Sequence, residues 1–180
     1  MPINNLLEGI LAGDENSYKE LMTLYQGKLR NVAYGIVHNW DDADDIVQDT
    51  FVDVYRNIDK FRGEANISTW MYRITINKSL NHVRKQKNKN WLTFSLEFLP
   101  KKYELKDTST EDNTNEDRIY KLNKAIDTLS KRQKTAFTLF YYDELSQKEI
   151  AEIMNTSASA VEQLVFRSKQ NIKKQLGFSE

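Results

Sequence analysis

The sequence predicts an all-α protein of two small helical domains joined by a flexible acidic linker. Three observations carry this. Apolar residues recur at three-to-four spacing along most of the 180 residues, the pattern of helices with one buried face. Glycine (6) and proline (2) are scarce, so few sheet turns are available. Between the periodic halves lies LKDTSTEDNTNED, a polar, acidic stretch without periodicity that cannot bury enough apolar surface to fold. The expected division is a first domain over residues 1–90, a linker over 91–116 and a second domain over 117–180.

The elements follow in order. Asp14 is placed to cap a helix over 14–38, with Tyr18, Leu21, Met22, Tyr25, Leu29, Val32, Ala33 and Ile36 on its apolar side. A second helix over 41–59 carries the stripe Val47, Phe51, Val54, Ile58. Phe61–Ile67 contains Gly63 and Asn66 and reads as a loop. Ser68 or Thr69 then caps a long helix reaching about Lys89. Periodicity resumes near Glu116. Residues 130–142 form one helix; Ser146 caps a short one, QKEIAEIMN, with Glu149 at capping-box spacing; Asn155-Thr156-Ser157 turns the chain into a longer helix. On that last helix Val161, Leu164, Val165, Ser168, Ile172 and Leu176 form the packed side.

Composition excludes several function classes. With no cysteine there is no disulfide framework, thiolate metal site or cysteine nucleophile. The start of the chain lacks a signal pattern, and no apolar run approaches the roughly 20 residues that span a bilayer, so a soluble, cytoplasmic protein without membrane insertion is expected. Net charge is zero but unevenly placed: −6 over residues 1–60 (5 basic, 11 acidic), +6 over 61–90 (7 and 1), −4 over 91–117 (3 and 7) and +4 over 118–180 (11 and 7). Two basic blocks set between acidic ones point to two polyanion contacts.

Each basic block contains a motif. The last two helices form a helix-turn-helix with a basic second helix, the arrangement that sets a helix into the major groove of duplex DNA. Ser157, Ser159, Glu162, Gln163 and Phe166 lie near its start and off the packed side, in reach of base edges; Arg167 serves bases or phosphates, and Lys169 phosphates. In the earlier block Phe61, Trp70 and Tyr72 interleave with Arg62, Arg73, Lys78, Arg84, Lys85 and Lys87, while Asn66, Asn77, Asn81 and His82 add donors and acceptors. Aromatic faces beside basic side chains suit unstacked, single-stranded bases. Residue types leave open the alternative that Trp70 and Tyr72 are core anchors. The run Asp41-Asp42-Ala43-Asp44-Asp45 resembles a magnesium-diphosphate motif, but no second acidic motif accompanies it, and acidic residues at a helix start are explained by the helix dipole. His38 and His82 lack metal-ligand spacing. No catalytic residue, metal or cofactor is expected.

The stretches DDADDIVQDTFVDVYRNIDKFRGEANISTWMYRITINKSLNHVRK and LSQKEIAEIMNTSASAVEQLVFRSKQNIKKQL, in that order, resemble bacterial RNA polymerase sigma factors of the extracytoplasmic-function (ECF) group, which keeps the second and fourth conserved sigma domains. The resemblance implies that Asp44, Asp45, Gln48, Asp49, Phe51 and Tyr55 face the clamp helices of the polymerase beta-prime subunit. It implies that Phe61–Arg84, with Asn66, Ser68, Thr69, Trp70, Tyr72, Arg73 and Asn77, melts the promoter's minus-ten element and captures its non-template strand. It implies that the last helix reads the minus-35 element and that its module also binds the beta flap. Core RNA polymerase, promoter DNA in duplex and single-stranded form, and an anti-sigma factor are the implied partners. Glu162, Leu164 and Phe166 depart from residues common in the group, so its known promoter sequences do not transfer. The rival is a stand-alone helix-turn-helix regulator, which leaves Phe61–Arg84 without a task.

Overall fold

Five of the helices begin where a short polar side chain satisfies a free N–H group. In a computed structural model of the chain, which describes residues 3–61, 66–96 and 115–178, eight α-helices and one 3₁₀ turn account for nearly all of those residues, with no strand among them. The helices are α1 (Ile3–Leu11), α2 (Glu15–Val37), α3 (Trp40–Asn57), α4 (Ile67–Leu96), α5 (Asn115–Asp127), α6 (Lys131–Tyr141), α7 (Gln147–Met154) and α8 (Ala158–Gln175). The Asp14 carboxylate accepts from the amides of Asn16 and Ser17 at 3.2 and 3.0 Å, starting α2. Asn39 accepts from Asp42 N–H at 2.9 Å, starting α3 with Asp41 and Asp42 in its first turn, where the helix dipole favours negative charge. Ser130 and Ser146 head full capping boxes with Gln133 and Glu149. α2 and α7 end on His38 (φ 59°) and Asn155 (φ 49°), left-handed residues that break the helices and turn the chain.

Helices α2, α3 and α4 pack against one another, with α1 on α2; α6 and α7 pack on α8, and α5 on α8. The last grouping holds a small core of Ala125, Ile126, Leu129, Phe137 and Ile172. The larger core runs from Leu29, Ile36, Val54 and Met71 into Leu139, Ile150 and Val161, so it crosses between the two halves of the chain. The crossing is close. A Cβ added to Gly35 on α2 would lie 2.6 Å from Thr138 Cγ2 on α6, so only glycine fits there.

Three features differ from the reading of the sequence. Helix α1 was not expected, although Ile3, Leu6, Leu7 and Ile10 stand at three-to-four spacing; Leu6 and Ile10 are buried against the bundle. α4 starts at Ile67, so that Ser68 and Thr69 lie within its first turn and do not cap it, and it continues to Leu96, past the expected end near Lys89. The two helical groupings are those expected, and their buried residues also touch one another across the halves. Most of the expected linker, residues 97–114, lies outside the described residues. Among the described residues no helix is long and apolar enough to cross a membrane.

One ion pair has a calculable stake in this packing. Lys134, almost fully buried on α6, bonds Asp127 at 2.5 Å, and His38 stands 3.4 Å from the same carboxylate. Burial raises the Asp127 pKa, but the bonds from His38 and Lys134 outweigh it and hold the carboxyl well below its usual value. A depressed carboxylate pKa adds stability above the unfolded pKa, near 4, and that contribution is lost as pH falls through the folded value. Asp127→Ala strands a buried ammonium. We expect a loss of about 2 kcal/mol at pH 7, less than for a fully enclosed pair because Asp127 keeps 39 % of its side chain exposed. Urea melts at pH 7 and pH 3 check this: the gap between variant and wild type narrows at pH 3.

Candidate nucleic-acid interface

The helix-turn-helix is built from α7 and α8. Ser146 Oγ accepts from Glu149 N–H at 3.3 Å, and the Glu149 carboxylate accepts from Ser146 N–H at 2.8 Å. Ile150, Ala151 and Ile153 face inward. Asn155 reverses the chain and Ser157 caps α8 by accepting from Ala160 N–H at 3.2 Å. Val161, Val165, Ser168 and Ile172 form the buried side of α8, with Leu164 half-buried beside them. Ser168 donates back to Leu164 O at 2.6 Å. Ser157, Ser159, Glu162, Gln163, Phe166, Arg167 and Lys169 are all exposed on the remaining surface, and Phe166 keeps 61 % of its area in solvent.

Beside this face lies a cleft of about 580 Å³ lined by Lys131, Arg132, Gln163 and Arg167. Lys131 and Arg132 were missed in the sequence. They belong to a helix before the motif, and only the fold brings them to the recognition helix. Arg132 reaches Thr156 Oγ1 in the turn at 3.4 Å.

Helix α4 has two sides. Met71, Thr75, Ile76 and Ser79 are buried; Thr75 donates to Met71 O, and its hydroxyl meets that of Thr50 on α3 at 3.3 Å. Small hydroxyl side chains at this contact let α3 and α4 approach closely. Asn77, Asn81 and Arg84 are exposed on the opposite side, with Asn66 exposed ahead of the helix. Trp70 is half-buried, its ring 5.4 Å from Phe61, so the two aromatics form one partly exposed pair. Ser68 is half-buried, and Arg62 lies outside the described residues. Thr69 and Tyr72 are buried, each about 4 % exposed, so neither is open to a ligand in this arrangement. Tyr72 donates its hydroxyl to Asp143, and Arg73 donates to Ile153 O at 2.9 Å and Glu152 O at 2.7 Å. These partners of Tyr72 and Arg73 lie in the second half of the chain, a tertiary pairing that helical spacing does not encode.

The acidic face of α3 is likewise divided. Asp45, Gln48, Asp49 and Tyr55 are exposed. Asp44 is held by Arg30 through a two-pronged pair at 2.6 and 3.0 Å, and Phe51 is core, 3 % exposed. Arg30 also lies over Trp40, which stacks on Tyr34 at 3.8 Å. Next to Tyr55 a groove of about 740 Å³ runs between α2 and α3, lined by Ile10, Tyr18, Met22, Gln48 and Phe51. Tyr18 donates to Phe51 O at 2.5 Å; burial, with the Tyr55 ring beside it, pushes its phenol up to about 12. Asp42 pairs with His82 at 3.2 Å, so two carboxylates of the acidic run are already engaged. No group of three metal-ligating side chains gathers among the described residues.

A helix-turn-helix whose second helix leaves one side exposed has the arrangement of a helix that enters the major groove of duplex DNA. Residues 21–89 match the family described as Sigma-70 region 2, and residues 119–172 match Sigma-70, region 4. The ECF RNA polymerase sigma-E factor of Haemophilus influenzae is 31% identical over 95% of this chain and 93% of its own. The ECF RNA polymerase sigma factor SigW of Bacillus subtilis is 28% identical, covering 98% and 97%. The chain belongs to the ECF RNA polymerase sigma factors. Among solved structures, CnrH in complex with the cytosolic domain of CnrY has the same fold, with a TM-score of 0.69 at 19% identity over 97% of both chains. So does the sigma factor RpoE of Bartonella quintana, in complex with the anti-sigma factor NepR, with a TM-score of 0.62 at 21% identity over 91% of this chain and 98% of that one.

Proposed function

We propose that the chain joins core RNA polymerase in the cytoplasm and directs it to promoters through two unequal DNA contacts, while the polymerase supplies the chemistry. The observation that carries this reading is the exposed face of α8, where all seven residues expected to read DNA stand clear of the packed side. Residues 117–180 act as the duplex reader: Gln163, Phe166 and Arg167 meet base edges at the minus-35 element, with Phe166 suited to a thymine methyl. Lys131, Arg132 and Lys169 neutralise phosphates along the flanking backbone. Residues 1–90 act on melted DNA: Trp70 and Phe61 offer stacking faces, Asn66, Asn77 and Asn81 offer paired donors and acceptors, and Arg62, Arg73 and Arg84 track the strand. Asp45, Gln48, Asp49 and Tyr55 form the polymerase-facing surface toward the clamp helices, Asp44 and Phe51 bracing it from within, and the second module also meets the beta flap. An anti-sigma factor as a further partner is supported by the Bartonella quintana sigma factor RpoE, solved in complex with the anti-sigma factor NepR.

Neither module needs high affinity alone, because tethering both to the polymerase raises the effective concentration of each contact. Arg167→Ala is expected to weaken binding of upstream duplex about tenfold and to lower the slope of log affinity against log salt by about one. Fluorescence anisotropy of a labelled promoter duplex with holoenzyme measures both. Co-purification with core polymerase tests the wider reading. A chain that binds duplex tightly by itself and never joins core is a stand-alone regulator instead.

A further inference from the structure

We infer that the cleft between α4 and α6 is a seat for a polyphosphate chain, either inorganic or the tail of a nucleoside triphosphate. Two adjoining cavities of about 220 and 240 Å³ make the cleft, and Leu80 and Lys131 line both. The first is bounded by Arg73, Lys131 and Arg132, with the amide of Asn77 and the hydroxyl of Thr135 in its wall. The second is bounded by Arg84, Lys87, Lys131 and Lys134. Along α4 the residues Arg73, Asn77, Leu80, Arg84 and Lys87 recur at three-to-four spacing. They therefore form one stripe, about 20 Å long at 1.5 Å per residue.

Six basic side chains line the two cavities against one carboxylate, Asp127, which Lys134 and His38 already match. Arg84, Lys87 and Lys131 are exposed and have no salt-bridge partner among the described residues. Arg73 gives two of its five N–H donors to the carbonyls of Glu152 and Ile153, which fixes its guanidinium in the wall. A cleft walled by one sign of charge concentrates ions of the other. Arginine forks grip phosphate oxygens in pairs, and lysines add point charge. The remaining walls are apolar, with Ile76, Leu80 and Met154 in the first cavity and Ile36, Val83 and Leu129 in the second. No aromatic side chain lines either cavity, so a base entering here has no face to stack on. Together the cavities have the size of a small-ligand pocket, roughly 300–1,000 Å³, and do not admit a duplex. A single phosphate meets few of these cations; a chain of several bridges both cavities. Arg73, Arg84, Lys131 and Arg132 are also proposed to contact DNA, so a seated chain competes with the promoter. That consequence rests on the promoter reading; the seat itself does not.

Isothermal titration of the full-length chain with tripolyphosphate at physiological ionic strength tests the seat. One tripolyphosphate should bind per chain. Lys87→Glu turns an attraction into a repulsion and should weaken binding about tenfold. Leu80→Trp fills the space shared by the two cavities and should abolish binding, with helical circular dichroism retained; if that variant does not fold, Lys87→Glu decides alone. Lys85→Glu, exposed on the same helix but outside both cavities, should change affinity by less than about twofold, because salt screens exposed charge. Adenosine triphosphate distinguishes the sources. Binding equal to that of tripolyphosphate assigns the seat to the phosphate chain alone; tighter binding, lost with the same variants, assigns it to a nucleotide's tail. Absence of binding overturns the seat. So does a loss in Lys85→Glu as large as in Lys87→Glu, which marks diffuse attraction to a basic surface. An oligothymidylate that binds as tightly as tripolyphosphate and is excluded equally by Leu80→Trp makes the cleft a track for single strands and also overturns it. A chain that binds tripolyphosphate in the expected pattern but never joins core polymerase keeps the seat and loses the promoter reading.

Discussion

Trp70→Ala is expected to slow open-complex formation roughly ten- to a hundredfold, while affinity for core polymerase stays within about twofold. Stacking of one base on an aromatic side chain contributes about 1–3 kcal/mol, and Trp70 with Phe61 forms a tilted, partly buried aromatic pair at the start of α4. Asp45, Gln48 and Asp49, proposed to face the polymerase, lie on α3 and lose nothing by the change. Permanganate reactivity of thymines in the melted region, followed in time with holoenzyme, measures the effect. Trp70→Phe keeps a stacking face and should recover most of the rate. A variant that melts at lower temperature yet opens promoters at the wild-type rate would make Trp70 a packing residue.

The second large effect is on stability. Leu139 is completely buried on α6, in the core that also holds Ile36 from α2 and Ile150 from α7. Leu139→Ala removes a large side chain where the surroundings close in from both halves of the chain, and a loss of about 3–4 kcal/mol is expected. Because the core is shared, unfolding in urea should remain a single transition, with far-ultraviolet dichroism and tryptophan fluorescence coincident. Independent domains would instead give two transitions, with only the second module destabilised.

Much of this architecture was legible in the sequence because it rests on local rules. The caps at Asp14, Ser146 and Ser157, the stripe Val47–Phe51–Val54 and the buried side of α8 all follow from three-to-four spacing and short polar side chains. The exposed side of α8 was legible for the same reason: residues left off a packed stripe point outward. What escaped was tertiary. Helix α1 is stabilised by its seat on α2, where Gly9 lets the helices close to a distance any side chain would block; a Cβ there would lie 2.2 Å from Ser17 Oγ. Lys131 and Arg132 reach the recognition cleft only because α6 crosses behind α8. Thr69, Tyr72 and Phe51 carry the residue types of a binding face, but the backbone turns them inward. Periodicity says which residues share a side of a helix; it does not say whether that side meets solvent, its own module or the other one.

The acidic surface also gains definition. Two of the five residues from Asp41 to Asp45 are committed within the fold, Asp44 to Arg30 and Asp42 to His82. The run is therefore not a cage for a cation. Asp45, Gln48 and Asp49 form a shorter exposed row that continues into Tyr55, 64 % exposed, and the apolar groove beside it.

The central claim is that one small chain gives a polymerase its promoter through two separate DNA contacts. Run-off transcription with purified core polymerase tests it most directly, using a template whose start site is mapped from transcripts that depend on this protein. The account predicts a discrete transcript only when core and this chain are both present, lost when either the minus-ten or the minus-35 element of the template is scrambled. Transcription unchanged by omitting the chain, or surviving loss of both elements, would contradict it.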